Sequence, residues 1–494
     1  MQKILLYTTC VLLFTTTGCK KFLEKNPDNR ASVTTPSQVS QLLGTAYPQG
    51  NYMAFSESIS DNVTDKGTGT QEKTNIDPYF FRDVTDNQQD SPEGYWNACY
   101  TAIAAANQAL EAIRNADDST LYTAQKGEAL LCRAYAHFML VTFFSKVYDP
   151  NTASSDLGIP YVTTPETVVF KKYDRKTVEY VYNMIEQDLT KGLPLIDDTK
   201  YTIPRYHFTK AAANAFASRF YLFKGDYRSV LTYSNAVLGT TGDITTLLRP
   251  WNTTYRTMTP TELFAIYQKA TEPANLLLVE TVSNWGRDYY RVRYGLSSDV
   301  RDEILAVEGL MTMGLNYDTA ELAFRYQTYT AGTNNIVIPK INEYFVRSSV
   351  NANIGLPYVM VPLFTTEEVL FNRIEANIYL NSTNANAAIA DLNTYASTRF
   401  VDYNAADYTI TPAKLQDYYA TGNVRLNTLY ALLDFKRAEY MQEGMRWFDI
   451  IRYGITVTHT TTTGESLTLA DGDLKRVFQL PESVKQSGMP LNPR

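Results

Sequence analysis

Cysteine and histidine are scarce in this chain of 494 residues, which contains four cysteines and three histidines. Four cysteines are too few for the dense disulfide framework that stabilises small secreted domains, so a hydrophobic core has to hold the fold together. The histidines, His137, His207 and His459, lie far apart in the sequence, without the paired spacing of zinc ligands. We therefore expect neither a disulfide scaffold nor a histidine metal site.

Motifs for phosphate binding and nucleophilic catalysis are also missing. The stretch Gly67–Thr70 is not followed by the Gly-Lys pair of a phosphate-binding loop, and no nucleophile-elbow motif occurs. Asp61, Asp65 and Glu72 lack the spacing of a helix-loop-helix calcium site, although an irregular calcium site stays open. We expect no cofactor. A surface glycoside hydrolase with two carboxylates in a cleft stays an alternative, because acids that are distant in sequence can meet in the fold.

The chain also lacks a strong excess of either charge and, after its first thirty residues, any long apolar run. Its 45 basic and 52 acidic residues give a formal net charge of −7. This slight acidic excess argues against nucleic acid and against anionic lipid head groups as partners. No later run approaches the roughly eighteen apolar residues of a membrane-spanning helix, so the body is not expected to cross a bilayer.

What the chain does have begins with an export signal. Lys3 precedes an apolar stretch, Ile4–Phe14, and the small and polar residues that follow end in Cys19. This order is typical of a bacterial lipoprotein signal peptide, so we expect residues 1–18 to be removed. Cys19 would then carry a diacylglyceryl thioether and, on its freed amine, a further acyl chain such as palmitate. Residues 19–35 are polar and predict a tether.

Helical patterns dominate the body that follows. An N-cap signal opens a stretch with helical spacing, Ser91–Ile113. The next stretch, Tyr122–Tyr148, is apolar on more than one face, which is typical of a buried helix. Further helices are predicted over Thr177–Ile196 and, as a pair joined near Gly225, over Phe208–Leu238.

Two cysteines, Cys99 and Cys132, fall in the first two of these helices. If the helices form a hairpin, the two residues are offset along the axes by about 7 Å, at about 1.5 Å rise per residue. A disulfide would be possible but strained. We expect two reduced, buried thiols instead, because cysteine is often a plain core residue.

Two stretches of the chain resemble each other and predict a repeated helical hairpin. Aligning Arg219–Leu238 with Asn377–Ala396 superposes one Tyr-Leu pair on another and one turn on the other. Both stretches resemble the helix-turn-helix unit of tetratricopeptide repeats, in which small residues allow close helix packing. An ordinary helical bundle would use the same residues and is the alternative. The sequence thus predicts a mainly α fold with a tetratricopeptide-like scaffold.

The body is predicted to form one domain, residues 36–494, with a different character in its middle. A helical N-terminal half, 36–248, and a helical C-terminal half, 363–494, flank a loop-rich region at 249–362. This region contains three short runs of strand-like composition, namely Leu263–Tyr267, Leu276–Val282 and Ile336–Ile341.

The most specific string of the chain is Lys436–Gly454. On a helix it would place Glu443 three residues before Arg446 and Asp449 three residues before Arg452, where acid and base attract each other. A glycine between them would allow a bend or a close approach. Acids that neighbouring arginines neutralise are poor candidates for proton transfer, so we interpret the string as scaffold.

This string resembles the signature of the SusD/RagB family of outer-membrane nutrient-binding lipoproteins. Other segments resemble the family in the same order. They include Phe22-Leu23 after the lipidation cysteine, Gly158-Ile159-Pro160 after the first long helices, the helical repeats, and Leu480-Pro481 near the end. The resemblance covers nearly the whole chain.

The resemblance implies a non-catalytic protein that is lipid-anchored in the outer membrane and exposed on the cell surface. It implies that the protein caps a SusC-like, TonB-dependent transporter and hands it oligomeric nutrients. Founding members bind glycans, and at least one branch handles peptides. We therefore expect an oligosaccharide-binding protein, with a peptide-binding member as the alternative. The family's ligand residues share no motif that aligns with this chain, so none is carried over.

A glycan site needs flat aromatic faces for sugar rings, with amides, carboxylates or arginines for hydroxyls. The segment Asn284–Arg291 offers all of these in eight residues. Two long loops, Asp61–Asn75 and Asp77–Asp90, are further candidates because long loops in compact domains commonly carry function. Plain packing is the alternative for each aromatic residue. The candidate ligand residues are Trp285, Arg287, Asp288, Tyr289, Tyr290, Tyr79, Phe81 and Trp251.

Overall fold

The computed structural model describes residues 33–166, 168, 171–312, 320–328, 334–381 and 384–494, which form a mainly α-helical protein, as the sequence predicts. No helix of this described part is long and apolar enough to cross a bilayer. The signal peptide, the lipidation site Cys19 and nearly all of the tether lie outside the described residues. In chain order the helices are α1 Pro36–Leu43, α2 Met53–Ser58, α3 Lys73–Tyr79, α4 Pro92–Arg114, α5 Thr123–Phe144, α6 Val178–Gly192, α7 Lys210–Lys224, α8 Tyr227–Leu238, α9 Pro260–Tyr267, α10 Trp285–Asp288, α11 Ser298–Leu305, α12 Glu308–Thr312, α13 Thr366–Leu380, α14 Asn386–Ala396, α15 Ala405–Tyr408, α16 Pro412–Tyr419, α17 Val424–Glu439 and α18 Arg446–Tyr453.

Packed helical pairs build most of the core. Helix α4 packs against α5, α5 against α6, α7 against α8, and α8 against α13. The capping residues that the sequence marks lie where these helices begin and end. The Ser91 hydroxyl accepts a hydrogen bond from the Gly94 N–H at the start of α4. Gly225, with φ +79°, ends α7, and Asp226 caps α8. The predicted hairpins α7–α8 and α13–α14 are confirmed.

Short strands form small antiparallel sheets, and the largest contains Asn275–Val282 (β2), Gly355–Thr365 (β7) and Glu343–Arg347 (β6) in that spatial order. The predicted strand over Leu276–Val282 is confirmed, but the one over Leu263–Tyr267 is wrong, since these residues belong to α9. Thr259 and Glu262 form a capping box there, with Pro260 at the first helical position, and this start signal outweighs the strand-like composition. The strands are β1 Thr64–Asp65, β2 Asn275–Val282, β3 Tyr294–Gly295, β4 Gln327–Thr328, β5 Ile336–Val337, β6 Glu343–Arg347, β7 Gly355–Thr365, β8 Val457–Thr460 and β9 Ser466–Leu469.

The C-terminal string, Lys436–Gly454, does not form one helix but is interrupted around Gly444, where the sequence allows a bend or a close approach. Helix α17 ends before the glycine of the string and α18 begins after it. The predicted pair between Glu443 and Arg446 is therefore wrong. Glu443 instead accepts from Lys340 at 2.7 Å, and Arg446 binds Asp61 at 2.8 Å. A close approach explains the break, because a Cβ on Gly444 would lie 2.8 Å from the backbone of α2.

Four buried charged side chains form a chain of ion pairs at the centre of the molecule. Arg249, Glu367, Arg399 and Glu439 are each at most 1% exposed. Glu367 binds Arg249 at 2.8 Å and Arg399 at 3.1 Å, while Arg399 also binds Glu439 at 2.7 Å. These contacts join the loop before α9 to α13, to the end of α14 and to α17.

Helices α4 and α5 carry the two cysteines of the described residues. Cys99 and Cys132 are both free thiols with no exposed surface. Burial raises the pKa of both thiols well above the ordinary value. They are core residues, as expected, and they do not form a disulfide.

Candidate functional site

Two loops that are distant in sequence meet at one surface. Strand β1 pairs with β3, and the contact continues beyond the strands. The Thr70 N–H donates to the Arg291 carbonyl, and the Arg293 N–H donates to the Thr70 carbonyl, both at 2.9 Å. We call residues 66–72 and 287–293 together the two-loop surface. It joins parts of two segments that the sequence marks separately as candidates.

Gly69 allows the two loops to approach this closely. Its φ of +134° lies in the region that favours glycine. A Cβ at this position would lie 2.5 Å from the Arg291 carbonyl oxygen and 2.6 Å from the Arg293 backbone nitrogen. No other residue fits there without moving one loop away from the other.

Lys66 lies between the loops and is largely withdrawn from solvent. Its ammonium donates to the Tyr290 carbonyl at 2.9 Å and to the Asn335 side-chain oxygen at 2.8 Å. Burial lowers the pKa of Lys66 to about 8. An ammonium has three donors, and the described residues accept from two of them, so the third can donate to a ligand. The sequence does not mark Lys66 or Asn335 as ligand candidates, because neither stands in a motif and only the fold brings them close to Tyr290.

Four polar and aromatic side chains of the candidate segment Asn284–Arg291 lie at the rim of the two-loop surface. Arg287 is half-buried and forms an ion pair with Glu343 on β6. Burial raises the pKa of Asp288, although Arg287 and Arg291 oppose that effect. The Arg291 guanidinium lies 5.3 Å above the Tyr290 ring and donates to its hydroxyl at 3.1 Å. A carboxylate, guanidinium groups and a partly exposed ring therefore lie side by side.

Four other candidate aromatics are buried. Trp285 is 4% exposed, Tyr289 is 3% exposed, and Trp251 and Tyr79 have no exposed surface. The Trp285 indole N–H donates to the Gln442 carbonyl at 3.1 Å, which fixes the ring against the C-terminal string. In the described structure these rings support the loops from beneath and offer no face to a ligand.

The remaining candidate, Phe81, lines a separate cavity of about 450 Å³. Its φ of +51° is unusual for a bulky residue, and its ring stacks on His459 at 4.8 Å. Arg82, Glu93 and Arg494 also line this cavity. Burial raises the pKa of Glu93. Phe81 therefore lines a cavity that is separate from the two-loop surface.

Two acids of the first candidate loop, Asp61–Asn75, form ion pairs with arginines. Asp61 binds Arg446 at 2.8 Å, and Asp65 binds Arg293 at 2.6 Å. Burial acts to raise the pKa of Asp65, but hydrogen bonds from Arg293 and from backbone N–H groups outweigh burial and lower it. These carboxylates fix the loops. Among the described residues, no group of three or more His, Cys, Asp or Glu side chains is placed to hold a metal ion.

Comparison with known proteins gives a consistent result. Residues 21–222 match a SusD-like family model described as "Starch-binding associating with outer membrane". No curated protein sequence matches the chain.

Solved structures resemble the chain over nearly its whole length. A SusD superfamily protein from Bacteroides thetaiotaomicron is 18% identical, with a TM-score of 0.68 over 93% of this chain and 100% of its own. A putative sugar binding protein from Bacteroides vulgatus is 21% identical, with a TM-score of 0.66 over 94% of this chain and 99% of its own. A laminarin binding SusD-like protein is 16% identical, with a TM-score of 0.59 over 93% and 99%. At these identities the likeness of the structures shows the fold.

Proposed function

We propose that this chain is a SusD/RagB-type protein that binds oligosaccharide nutrients at the cell surface and delivers them to a partner TonB-dependent transporter, because residues 21–222 match a SusD-like family model and the fold resembles that of SusD superfamily structures. In this proposal Cys19 anchors the protein in the outer membrane and the helical scaffold holds the ligand loops. The family description and the sugar-binding relatives support the ligand class. The protein acts as a binding module and not as an enzyme.

The two-loop surface is the observation that carries the proposed ligand site. Lys66 and Asp288 are partly desolvated charged groups, and hydrogen bonds to charged groups are stronger than those between neutral groups. Tyr290 is the one candidate aromatic with a partly exposed ring, so it can pack against a sugar face. Gly69 holds the loops in contact.

An oligosaccharide fits this surface better than a peptide. The surface offers side-chain donors and acceptors around one ring, which suits the hydroxyls and apolar faces of a sugar. A peptide would draw on the free edge of a strand for backbone pairing. Directly beside the two-loop surface, β1 and β3 already pair with each other.

Calorimetric titration against a panel of oligosaccharides and peptides tests the proposal. Tyr290→Ala should weaken glycan binding by about 1 to 3 kcal/mol, the range for bases that stack on aromatic side chains. Lys66→Met and Asp288→Asn should each weaken it by about 1.5 kcal/mol or more, because each removes a charged hydrogen-bonding partner. Lys191→Met, at an exposed lysine on α6, is the matched control and should bind as the wild type does.

Three outcomes would contradict the proposal. Binding of peptides alone would overturn the ligand class. An unchanged glycan affinity in all three folded variants would overturn the site. Release of shorter sugars from the glycan would favour the hydrolase alternative, in which Asp288 would be one of two carboxylates.

A further inference from the structure

Lys66 on the two-loop surface is a positive charge without a carboxylate partner. Its ammonium donates to two neutral acceptors, the Tyr290 carbonyl at 2.9 Å and the Asn335 side-chain oxygen at 2.8 Å. Burial alone lowers its pKa, and within the described part of the chain it forms no ion pair. A charge that is withdrawn from water is costly unless an opposite charge compensates it.

Two acids beside the two-loop surface are already neutralised by arginines. Asp65, the residue before Lys66, accepts from Arg293 with both carboxylate oxygens, at 2.6 and 2.8 Å. Glu343 accepts from Arg287 in the same bidentate way. Neither of these carboxylates therefore compensates the charge of Lys66.

The two acids within the surface, Asp288 and Glu72, do not compensate Lys66 either. Burial raises the pKa of Asp288, and Arg287 and Arg291 oppose that effect as opposite charges. Glu72 is exposed, so water and salt screen its charge. Neither acid raises the pKa of Lys66, which burial sets below its ordinary value.

A ligand can approach Lys66 from solvent. Lys66 is partly exposed, and the exposed residues that follow it, Gly67–Gly69, are small. Arg291 is also exposed, and its guanidinium lies over the Tyr290 ring, while the Tyr290 carbonyl accepts from Lys66. Two cations thus flank the residue whose ring can pack against a sugar.

We propose that the ligand of the two-loop surface is an acidic glycan, whose carboxylate or sulfate group binds the Lys66 ammonium. This proposal rests on the proposed function, because it names the kind of glycan that binds at the same site. The anion supplies the opposite charge and accepts from the third donor of the ammonium. Hydrogen bonds between charged partners are about twice as strong as those between neutral groups. A neutral glycan would leave the charge of Lys66 uncompensated.

Calorimetric titration with matched glycans tests the proposal. Each neutral oligosaccharide of the panel is compared at pH 7 with two derivatives of itself, one with its primary hydroxyls oxidised to carboxylates and one with them sulfated. At least one acidic form should bind about tenfold or more tightly than its neutral parent. The two derivatives distinguish a carboxylate ligand from a sulfate ligand. Lys66→Met should remove most of this preference, and the control Lys191→Met, at an exposed lysine, should keep it.

Proton uptake gives a second readout, which a purely structural role of Lys66 would not produce. Because the pKa of Lys66 is about 8, about half of these side chains are deprotonated at pH 8. A bound anion favours the charged form, so binding of the acidic glycan at pH 8 should take up as much as about half a proton. Calorimetry in buffers of different ionisation enthalpy measures this uptake, and Lys66→Met should abolish it.

Equal affinities for the neutral and acidic forms would overturn the proposal and leave the proposed glycan binding intact. So would a loss of affinity in Lys66→Met that is the same for both forms, since Lys66 would then only support the loops. Absence of binding by every glycan of the panel, neutral or acidic, would instead overturn the proposed function, and the acidic ligand with it. Circular dichroism and thermal unfolding verify that each variant is folded.

Discussion

At the scale of single residues, the interior of this protein contains charges that are stable only as a set. Glu367 accepts bonds from two buried arginines and from the Arg249 N–H at 2.8 Å. A buried ion pair contributes little over an apolar replacement, but removing one partner leaves an uncompensated charge in a medium of low dielectric constant. The two arginines therefore depend on Glu367.

Glu367→Gln should lower the free energy of unfolding by about 3 to 5 kcal/mol, because it leaves Arg249 and Arg399 with one fewer compensating charge. Urea denaturation measures this change. Glu482→Gln is the control, since Glu482 pairs with Lys485 on the surface and both side chains are more than half exposed. It should have no measurable effect. Equal stability of the two variants would refute the structural role of the network.

The buried carboxyl group of Glu57 should make the free energy of unfolding depend on pH. It is 2% exposed, and burial raises its pKa from 4.5 to about 7, although the N–H groups of Gln442 and Gly444 oppose this. The folded state thus binds the proton more tightly than the unfolded state. This contribution to the free energy of unfolding is full below pH 4.5 and declines as the pH rises towards 7.

Comparison of the wild type with Glu57→Gln isolates this group. The pKa difference of about 2.5 corresponds to about 3 kcal/mol, at roughly 1.4 kcal/mol per unit. The stability of the wild type relative to Glu57→Gln should therefore fall by that order between pH 4.5 and 7. Denaturation curves at several pH values measure it. A difference that stays constant, or grows with pH, would contradict the assignment.

At the scale of elements, the contact between the two loops depends on one position without a side chain. Gly69→Ala should separate the loops and weaken glycan binding at least tenfold, because the new Cβ collides with the backbone next to Tyr290. Gly242→Ala is a matched control, since Gly242 has a φ of +99° but open space around it. It should lower the melting temperature slightly and leave binding unchanged. Affinity and thermal unfolding of both variants decide the matter, and equal affinities would contradict the role of Gly69.

Helix ends could be predicted from the sequence because their causes are local. The Ser91 cap and the Gly225 turn are readable from neighbouring residues alone. The break that separates Glu443 from Arg446 could not be predicted in this way, because the approach of α2 to Gly444, which breaks the helix, is a long-range contact.

The candidate site also has features that the sequence reveals and features that only the fold reveals. Composition marks the segment around Tyr290 correctly as a loop with polar and aromatic residues, but it cannot distinguish a ring that is displayed from one that is buried, such as Trp285. It also gives no signal for Lys66, whose pKa is lowered by burial and whose ammonium donates to the Tyr290 carbonyl, far along the chain. Tertiary contacts decide both questions.

At the scale of the whole molecule, the anchor is the first prediction. Cys19→Ala should release the protein from the membrane fraction, because it removes the thiol that carries the lipid. Fractionation and immunoblotting measure the release. Protease added to intact cells should degrade the wild type if the body faces outward. Unchanged membrane association of the variant would contradict the lipoprotein prediction.

The partner is the second prediction at this scale. Purification of the tagged wild type in a mild detergent should recover a TonB-dependent transporter in comparable amount, identified by mass spectrometry. An unrelated tagged lipoprotein from the same membrane serves as the control and should not recover it. Recovery of this protein alone, from cells that express TonB-dependent transporters, would count against delivery to a channel.

The two thiols on α4 and α5 are an intrinsic probe of how often this part of the molecule opens. Since Cys99 and Cys132 have no exposed surface and raised pKa values, a thiol reagent can react with them only while the helices are apart. The rate of labelling therefore reports how often the N-terminal half opens. The same labelling on living cells would measure the rate of opening in the membrane-bound protein. A ligand or partner that binds only the folded state would lower that labelling rate.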